Sequence, residues 1–138
     1  MKKYYLSLFV MTLFAIGFAA SDDSEEAAKL VGNYVVQDSK GTTWHFNFTE
    51  DHQVTIKSNG MSDDDMYYGT WGAQVGGGWL CTLDFLSFHA GNPPIEFPNG
   101  CISSMGERIE VSDEGWIYNG WENLKAKNPK ARLKMTKQ

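Results

Sequence analysis

The stretch TWHFNFTEDHQVTIKS, residues 43–58, alternates apolar and polar side chains and gives the strongest indication of the fold. The rings in its first half stand at every second position: Trp44, Phe46 and Phe48. Such positions share one face of an extended strand, so the three rings point the same way. After the polar turn EDHQ, Val54 and Ile56 resume the same period. Two alternating segments joined by a short turn predict an antiparallel hairpin with one apolar face.

Short alternating segments and turn signals continue on both sides of this hairpin. The segments that predict strands are KLVGNYVVQD before it and MYYGTWGAQ, WLCTLDFLSF, CISSMGERIEVS (one strand or two), WIYNGW and ARLKMTK after it. Residues 89–100 hold Pro93, Pro94 and Pro98 and predict a long loop, because proline cannot donate to a strand ladder. No helical period is long enough for a parallel crossover. About seven to nine short strands predict an all-β antiparallel meander, closed as a barrel or stacked as a sandwich.

The N-terminus has the order of a secretory signal peptide. Lys2 and Lys3 precede an uncharged run over 4–20, and small residues close that run. A retained membrane anchor is the alternative, but the run is at the short end of the roughly 20 residues that a span needs. We therefore predict a signal peptide over 1–21, a polar tether over 22–29 and export to the periplasm, the cell envelope or the medium, with no integral span in the mature chain.

The acidic run SDDSEE after the apolar segment resembles the start of bacterial envelope lipoproteins. Those proteins carry an acylated cysteine where this chain has Ser21, and its first cysteine is Cys81. Two alternatives follow. Either ordinary signal peptidase cleaves after Ala19 or Ser21, or Ser21 replaces an original lipoprotein cysteine.

The length and charge of the mature chain predict one domain and argue against nucleic acid as a partner. Cleavage after Ser21 leaves 138 − 21 = 117 residues, which suits one domain. It also removes two of the 12 basic residues, so 10 remain against 17 acidic residues and the mature charge is −7. Such a surface repels phosphate backbones, and we predict no nucleic-acid partner.

The segment GNY at 32–34 resembles the Gly-x-Trp start of lipocalin-like proteins, with Tyr34 in place of the tryptophan. The hairpin over 43–58, the YGTW strand over 68–71 and the closing NPKARLKMTK also look like small bacterial lipocalin-like domains, so the resemblance covers nearly all of 29–137. It implies a meander barrel of about eight strands over 30–138, whose interior is filled or holds one small ligand. It further implies that Arg132 packs on Tyr34.

Sequence motifs for catalysis or metal binding do not stand out. The histidines His45, His52 and His89 are expected in solvated or cross-strand positions rather than as metal ligands. The acidic run over 62–65 lacks the alternating carboxylates of a calcium loop and is expected to be a solvated turn. The chain has no Gly-x-Ser-x-Gly and no His-Glu-x-x-His. We expect no cofactor and no enzyme activity.

Cys81 and Cys101 are the only cysteines. A disulfide between them is one alternative for an exported protein and would close a loop of about 20 residues. Two free thiols are the other, because Cys81 alternates with core-type residues.

Aromatic residues make up 14% of the chain, and the hypotheses for its function differ in the role that they give to these side chains. In the leading hypothesis, a ring of side chains inside the barrel binds a small, largely apolar molecule, with Tyr34 or Tyr67 orienting its polar end. The predicted site residues are Tyr34, Trp44, Phe46, Phe48, Tyr67, Trp71 and Phe85. One alternative is a filled barrel that serves as an interaction module with an envelope protein. The other is a carbohydrate-binding protein that uses Trp116 and Trp121.

Overall fold

The computed structural model describes Glu25 and residues 28–73, 79–84, 93–103 and 107–138, with Ala73 and 79–84 described by their backbone. Residues 28–30 are helical, and Val31–Gln138 forms one compact unit. The predicted signal peptide, Phe85 and His89 lie outside the described residues. Within the described part of the chain, no helix is long and apolar enough to cross a membrane.

Eight strands form one closed antiparallel barrel. In chain order they are β1 (Gly32–Gln37), β2 (Thr43–Phe48), β3 (Gln53–Ser58), β4 (Tyr67–Ala73), β5 (Trp79–Asp84), β8 (Arg108–Val111), β9 (Trp116–Tyr118) and β10 (Arg132–Lys137). Each strand pairs with its neighbour in this series, and β10 pairs with β1 to close the ring. The prediction of an all-β antiparallel barrel is confirmed.

The period-two pattern sorts side chains between the interior and the surface. Across β1 and β2, Tyr34 pairs with Phe46 and Val36 with Trp44, and all four side chains are buried. Phe46 pairs on its other side with Ile56 of β3. A register shift of one residue would turn these side chains outward, so burial of the rings fixes the register.

A small hairpin, β6 (Ile95–Phe97) and β7 (Gly100–Ile102), lies between β5 and β8 in the chain. The prediction of an uninterrupted loop over 89–100 was wrong at this point. Proline excludes a strand only where its missing N–H is needed, and Pro94 and Pro98 flank β6 rather than interrupt it. Ile95, Phe97 and Ile102 are buried.

The helix α1 (Trp121–Lys125) connects β9 to β10 and packs against β8 and β9. Its five residues are too few to show a helical period, so the sequence pattern does not predict it. A 3-10 turn over Pro129–Ala131 follows, where the Asn128 side chain accepts a bond from Lys130 N.

Candidate ligand site in the barrel interior

Six of the seven predicted site residues are described, and all six are buried in the barrel. They come from three strands: Tyr34 from β1, Trp44, Phe46 and Phe48 from β2, and Tyr67 and Trp71 from β4. The expectation that the rings of Trp44, Phe46 and Phe48 point inward is confirmed.

The rings form two groups of contacts. The Phe48 ring centroid lies 5.7 Å from Tyr34, 6.2 Å from Phe46 and 6.0 Å from Trp71, with edge-to-face geometry towards Tyr34 and Trp71. Trp44 and Tyr67 stack 5.8 Å apart. These distances are those of favourable aromatic pairs, so the rings stabilise one another as well as lining the interior.

Trp71 lies at the end of the barrel where the turn over 49–52 joins β2 to β3. We call this the turn end. The Trp71 ring stacks on the His52 imidazole at 4.6 Å and 4°, while His52 Nδ1 lies 3.1 Å from the Trp71 carbonyl oxygen. His52 has a left-handed backbone, with φ of 64°, and its peptide oxygen accepts a bond from Trp71 N. His52 is therefore held against the tryptophan by three contacts.

The Trp71 indole nitrogen is the unusual atom of this interior. The residue is 3% exposed, yet Nε1–H has no hydrogen-bond partner among the described residues. An indole N–H only donates, and a buried donor without an acceptor costs roughly 1–3 kcal/mol. This N–H can donate to an acceptor on a bound molecule. Sequence alone could not reveal it, because a tryptophan on an inward position normally finds a partner.

The opposite end of the barrel is organised by Asp38, which is 5% exposed. Its Oδ1 accepts bonds from Lys40 N and Thr42 N at 3.0 and 2.9 Å. Its Oδ2 accepts from the Trp44 indole at 3.0 Å and from Glu96 N at 3.3 Å. Both carboxylate oxygens are therefore fully engaged within the fold. This role was not predicted from the sequence, although an Asp three residues before a Gly is a turn signature.

The Glu96 contact brings the hairpin β6–β7 to this same end, which we call the hairpin end. Ser39 N and Ser39 Oγ both donate to the Glu96 carbonyl oxygen at 3.0 Å. The Tyr67 hydroxyl donates to the Pro93 carbonyl oxygen at 2.7 Å. At the hairpin end, hydrogen bonds within the fold thus use the donors of Trp44 and Tyr67.

The two predicted orienting tyrosines are both neutral at physiological pH. Burial raises the pKa of Tyr34 and of Tyr67 above the ordinary value of 10.0. Because Tyr67 already donates to Pro93, Trp71 rather than Tyr67 carries the unused donor.

Other candidate residues are dispersed over the surface. His45 Nε2 lies 2.8 Å from the exposed Asn59 side chain, so this histidine contacts a surface residue. Asp63 pairs with Lys57 at 2.6 Å in an exposed 3-10 turn, and this ion pair lowers the Asp63 pKa. The described residues contain no group of three potential metal ligands. Cys101 is an exposed free thiol on β7, and the Cys81 side chain lies outside the described residues.

The two tryptophans of the carbohydrate alternative have different surroundings. The Arg132 guanidinium lies 4.0 Å and the Lys134 ammonium 4.9 Å from the Trp116 ring centroid. Trp121 instead lines a groove of about 210 Å³ beside α1, together with Tyr118 and Leu124. Trp116 is not among the residues that line this groove.

The implied contact between Arg132 and Tyr34 was wrong. Arg132 begins β10 and pairs with Tyr118, whereas Tyr34 pairs with Lys137 near the other end of that strand. The Lys137 ammonium lies 5.7 Å from the Tyr34 ring centroid and donates to the Val31 carbonyl oxygen. The cation on Tyr34 is therefore a lysine.

The chain matches no protein-family model, no curated protein and no solved structure. Its function is therefore inferred from the geometry of the barrel itself.

Proposed function

We propose that this chain is an exported, non-catalytic, lipocalin-like protein that binds one small, largely apolar molecule inside the barrel. The predicted signal peptide supports the export, and the eight-stranded closed barrel supports the kind of site. Barrels of this size either fill with side chains or hold one small ligand.

One observation carries the proposal, namely the buried Trp71 indole N–H. In a barrel filled only by its own side chains, an unpaired donor lowers the stability of the fold without any compensating interaction. A ligand with an acceptor removes that cost when it binds. The apolar remainder of the ligand gains roughly 25 cal/mol for each Å² that leaves water. The Phe48 ring contacts Trp71, and the buried rings of Tyr34 and Phe46 contact Phe48 in turn, so they offer an apolar lining of this kind.

A filled barrel that acts as an envelope interaction module is the second candidate. The ring contacts favour it, because Phe48 touches three neighbours and Trp44 stacks on Tyr67. A water molecule bonded to Trp71 would then satisfy the indole.

Titration of the purified protein with N-phenyl-1-naphthylamine, a neutral fluorescent probe, separates the two candidates. The ligand-binding proposal expects saturable enhancement with one probe per chain. It also expects a small molecule that co-purifies from the native host and is released on denaturation in mass spectrometry. Absence of probe binding, together with a stoichiometric protein partner from the host, would support the filled barrel instead.

A further inference from the structure

Polar groups are distributed unequally between the two ends of the barrel. At the hairpin end, the Trp44 indole, the Tyr67 hydroxyl and both oxygens of Asp38 are bonded within the fold. At the turn end, the Trp71 indole is buried without a described partner. The Trp71 indole at the turn end is therefore our candidate donor to an interior ligand.

The charge of the ligand follows from the buried charges. The buried polar or charged residues of the described chain are Asp38, Ser58 and Glu110. Glu110 alternates with the inward-facing Ile109 and Val111, so it lies on the outer face, under α1. No described lysine or arginine is buried, so a carboxylate ligand would lack a counter-charge inside the barrel. A buried unpaired charge is very costly. A cationic ligand would find the Asp38 carboxylate already saturated by four N–H groups.

The position of Trp71 also gives the ligand an orientation. Its ring meets Phe48 at 6.0 Å, and Phe48 meets Phe46 at 6.2 Å, further towards the hairpin end. An acceptor bonded to Trp71 Nε1 would place the apolar part of the ligand along these phenylalanine rings.

We infer that the barrel recognises a neutral, largely apolar molecule with one hydrogen-bond acceptor, such as a carbonyl, and that the Trp71 indole donates to it. This inference rests on the proposed function and adds to it the chemical class and the orientation of the ligand.

Three probes of matched size test the inference: acetophenone, which carries a neutral carbonyl, ethylbenzene, which has no acceptor, and benzoate, which is charged. We expect acetophenone to bind about three to ten times more tightly than ethylbenzene, the ratio that one neutral hydrogen bond supplies. Benzoate should bind more weakly than acetophenone at pH 7. In the Trp71→Phe variant the ratio between acetophenone and ethylbenzene should fall to about one, with ethylbenzene affinity retained. Trp116→Phe is the control, because Trp116 lies on the outer face, and it should keep the full ratio.

Indole N–H resonances in ¹H–¹⁵N spectra give a second readout. The chain has five tryptophans, and the Trp71 signal is the one missing from Trp71→Phe. Acetophenone should move this signal downfield, whereas ethylbenzene should not. If both neutral probes bind but Trp71→Phe leaves their ratio unchanged, the inference is overturned and the proposed function stands. If benzoate binds most tightly, the neutral class is overturned. If no probe binds, the proposed function itself fails.

Discussion

Trp44 and Trp71 both bury an indole in the barrel, but the described structure provides a hydrogen-bond acceptor only for Trp44. The Trp44 N–H donates to the Asp38 carboxylate at 3.0 Å, and each indole stacks on one other ring. The two residues therefore form a matched pair: replacement by phenylalanine removes a similar volume from each, but breaks a described indole hydrogen bond only at Trp44.

Trp44→Phe is expected to lower the free energy of unfolding by about 2–4 kcal/mol, because it breaks a buried bond to a charged group and leaves a small void. Trp71→Phe removes a donor without a described partner, so its loss should be about 1–3 kcal/mol smaller. Urea denaturation of the ligand-free variants measures both. Equal losses would mean that the Trp71 N–H is satisfied within the protein, which would contradict the proposed function.

Glu110 is a buried carboxylate on β8. It is 4% exposed, and burial raises its pKa above the ordinary 4.5, although the Arg108 guanidinium partly opposes this shift. The native state thus holds the proton to a higher pH than the unfolded chain does. Ionisation of Glu110 at neutral pH therefore destabilises the fold, and this cost disappears when the pH falls below 4.5, where both states are protonated.

Glu110→Gln should accordingly be more stable than the parent at pH 7, and the difference should shrink as the pH approaches 4.5. Urea midpoints between pH 4 and pH 7.5 would show the trend. Glu122→Gln is the control, since Glu122 is exposed and pairs with Lys125 on the same short helix. Its effect should stay within about 0.5 kcal/mol. A Glu110→Gln variant that loses stability at pH 7 would rule out the burial argument.

The turn between β8 and β9 depends on one glycine. Gly115 has φ of +79°, and a Cβ there would lie 3.2 Å from the Met135 carbonyl oxygen. Its N–H donates to Ser112 O and its oxygen accepts from Met135 N, so the turn ties β8–β9 to β10.

Gly115→Ala should therefore lower the free energy of unfolding by about 1–2 kcal/mol, the cost of a left-handed conformation for a residue with a Cβ. Gly72→Ala is the matched control in β4. Gly72 has an ordinary φ, and a Cβ added there would meet no atom within 4 Å, so alanine should be neutral or slightly stabilising. Thermal unfolding followed by circular dichroism compares the two. Equal behaviour of both variants would show that the turn does not need the left-handed geometry.

Period-two patterns predicted β1, β2 and β3 well because each of these strands buries alternate side chains. The hairpin over 43–58 shows this directly, since Trp44, Phe46 and Phe48 all face the interior. Elements of three to five residues were harder to predict. β6 lies between prolines and α1 spans little more than one turn, so neither is long enough to display a period. The Asp38 network and the Trp71 donor depend on contacts between distant segments, such as Asp38 with Glu96, which no local pattern records.

The proposed export of the whole chain can be tested at its N-terminus. Because small residues close the apolar run over 4–20, signal peptidase is expected to cleave after Ala19 or Ser21. N-terminal sequencing of protein recovered from the native host should begin at Ala20 or Asp22, and intact mass should show no lipid. A chain that retains Met1, or one that carries a diacylglyceryl group, would contradict soluble export.

Truncation of Phe46 tests whether the barrel interior is filled or keeps room for a ligand. Phe46 lies in the middle of β2 and packs between Tyr34 and Ile56 in the sheet, with its ring near Phe48. In a filled core, truncation of a buried phenylalanine costs about 3–5 kcal/mol. In a barrel that holds a ligand, one side of the ring faces the ligand space, so fewer contacts are lost when the ligand is absent.

We therefore expect Phe46→Ala to lower the free energy of unfolding by less than about 3 kcal/mol and to bind N-phenyl-1-naphthylamine more weakly. Tyr68→Ala is the control on the same barrel, because Tyr68 is 36% exposed on the outer face of β4 and should leave probe affinity unchanged. A loss of about 4 kcal/mol or more, in a protein whose parent does not bind the probe, would instead identify a filled barrel.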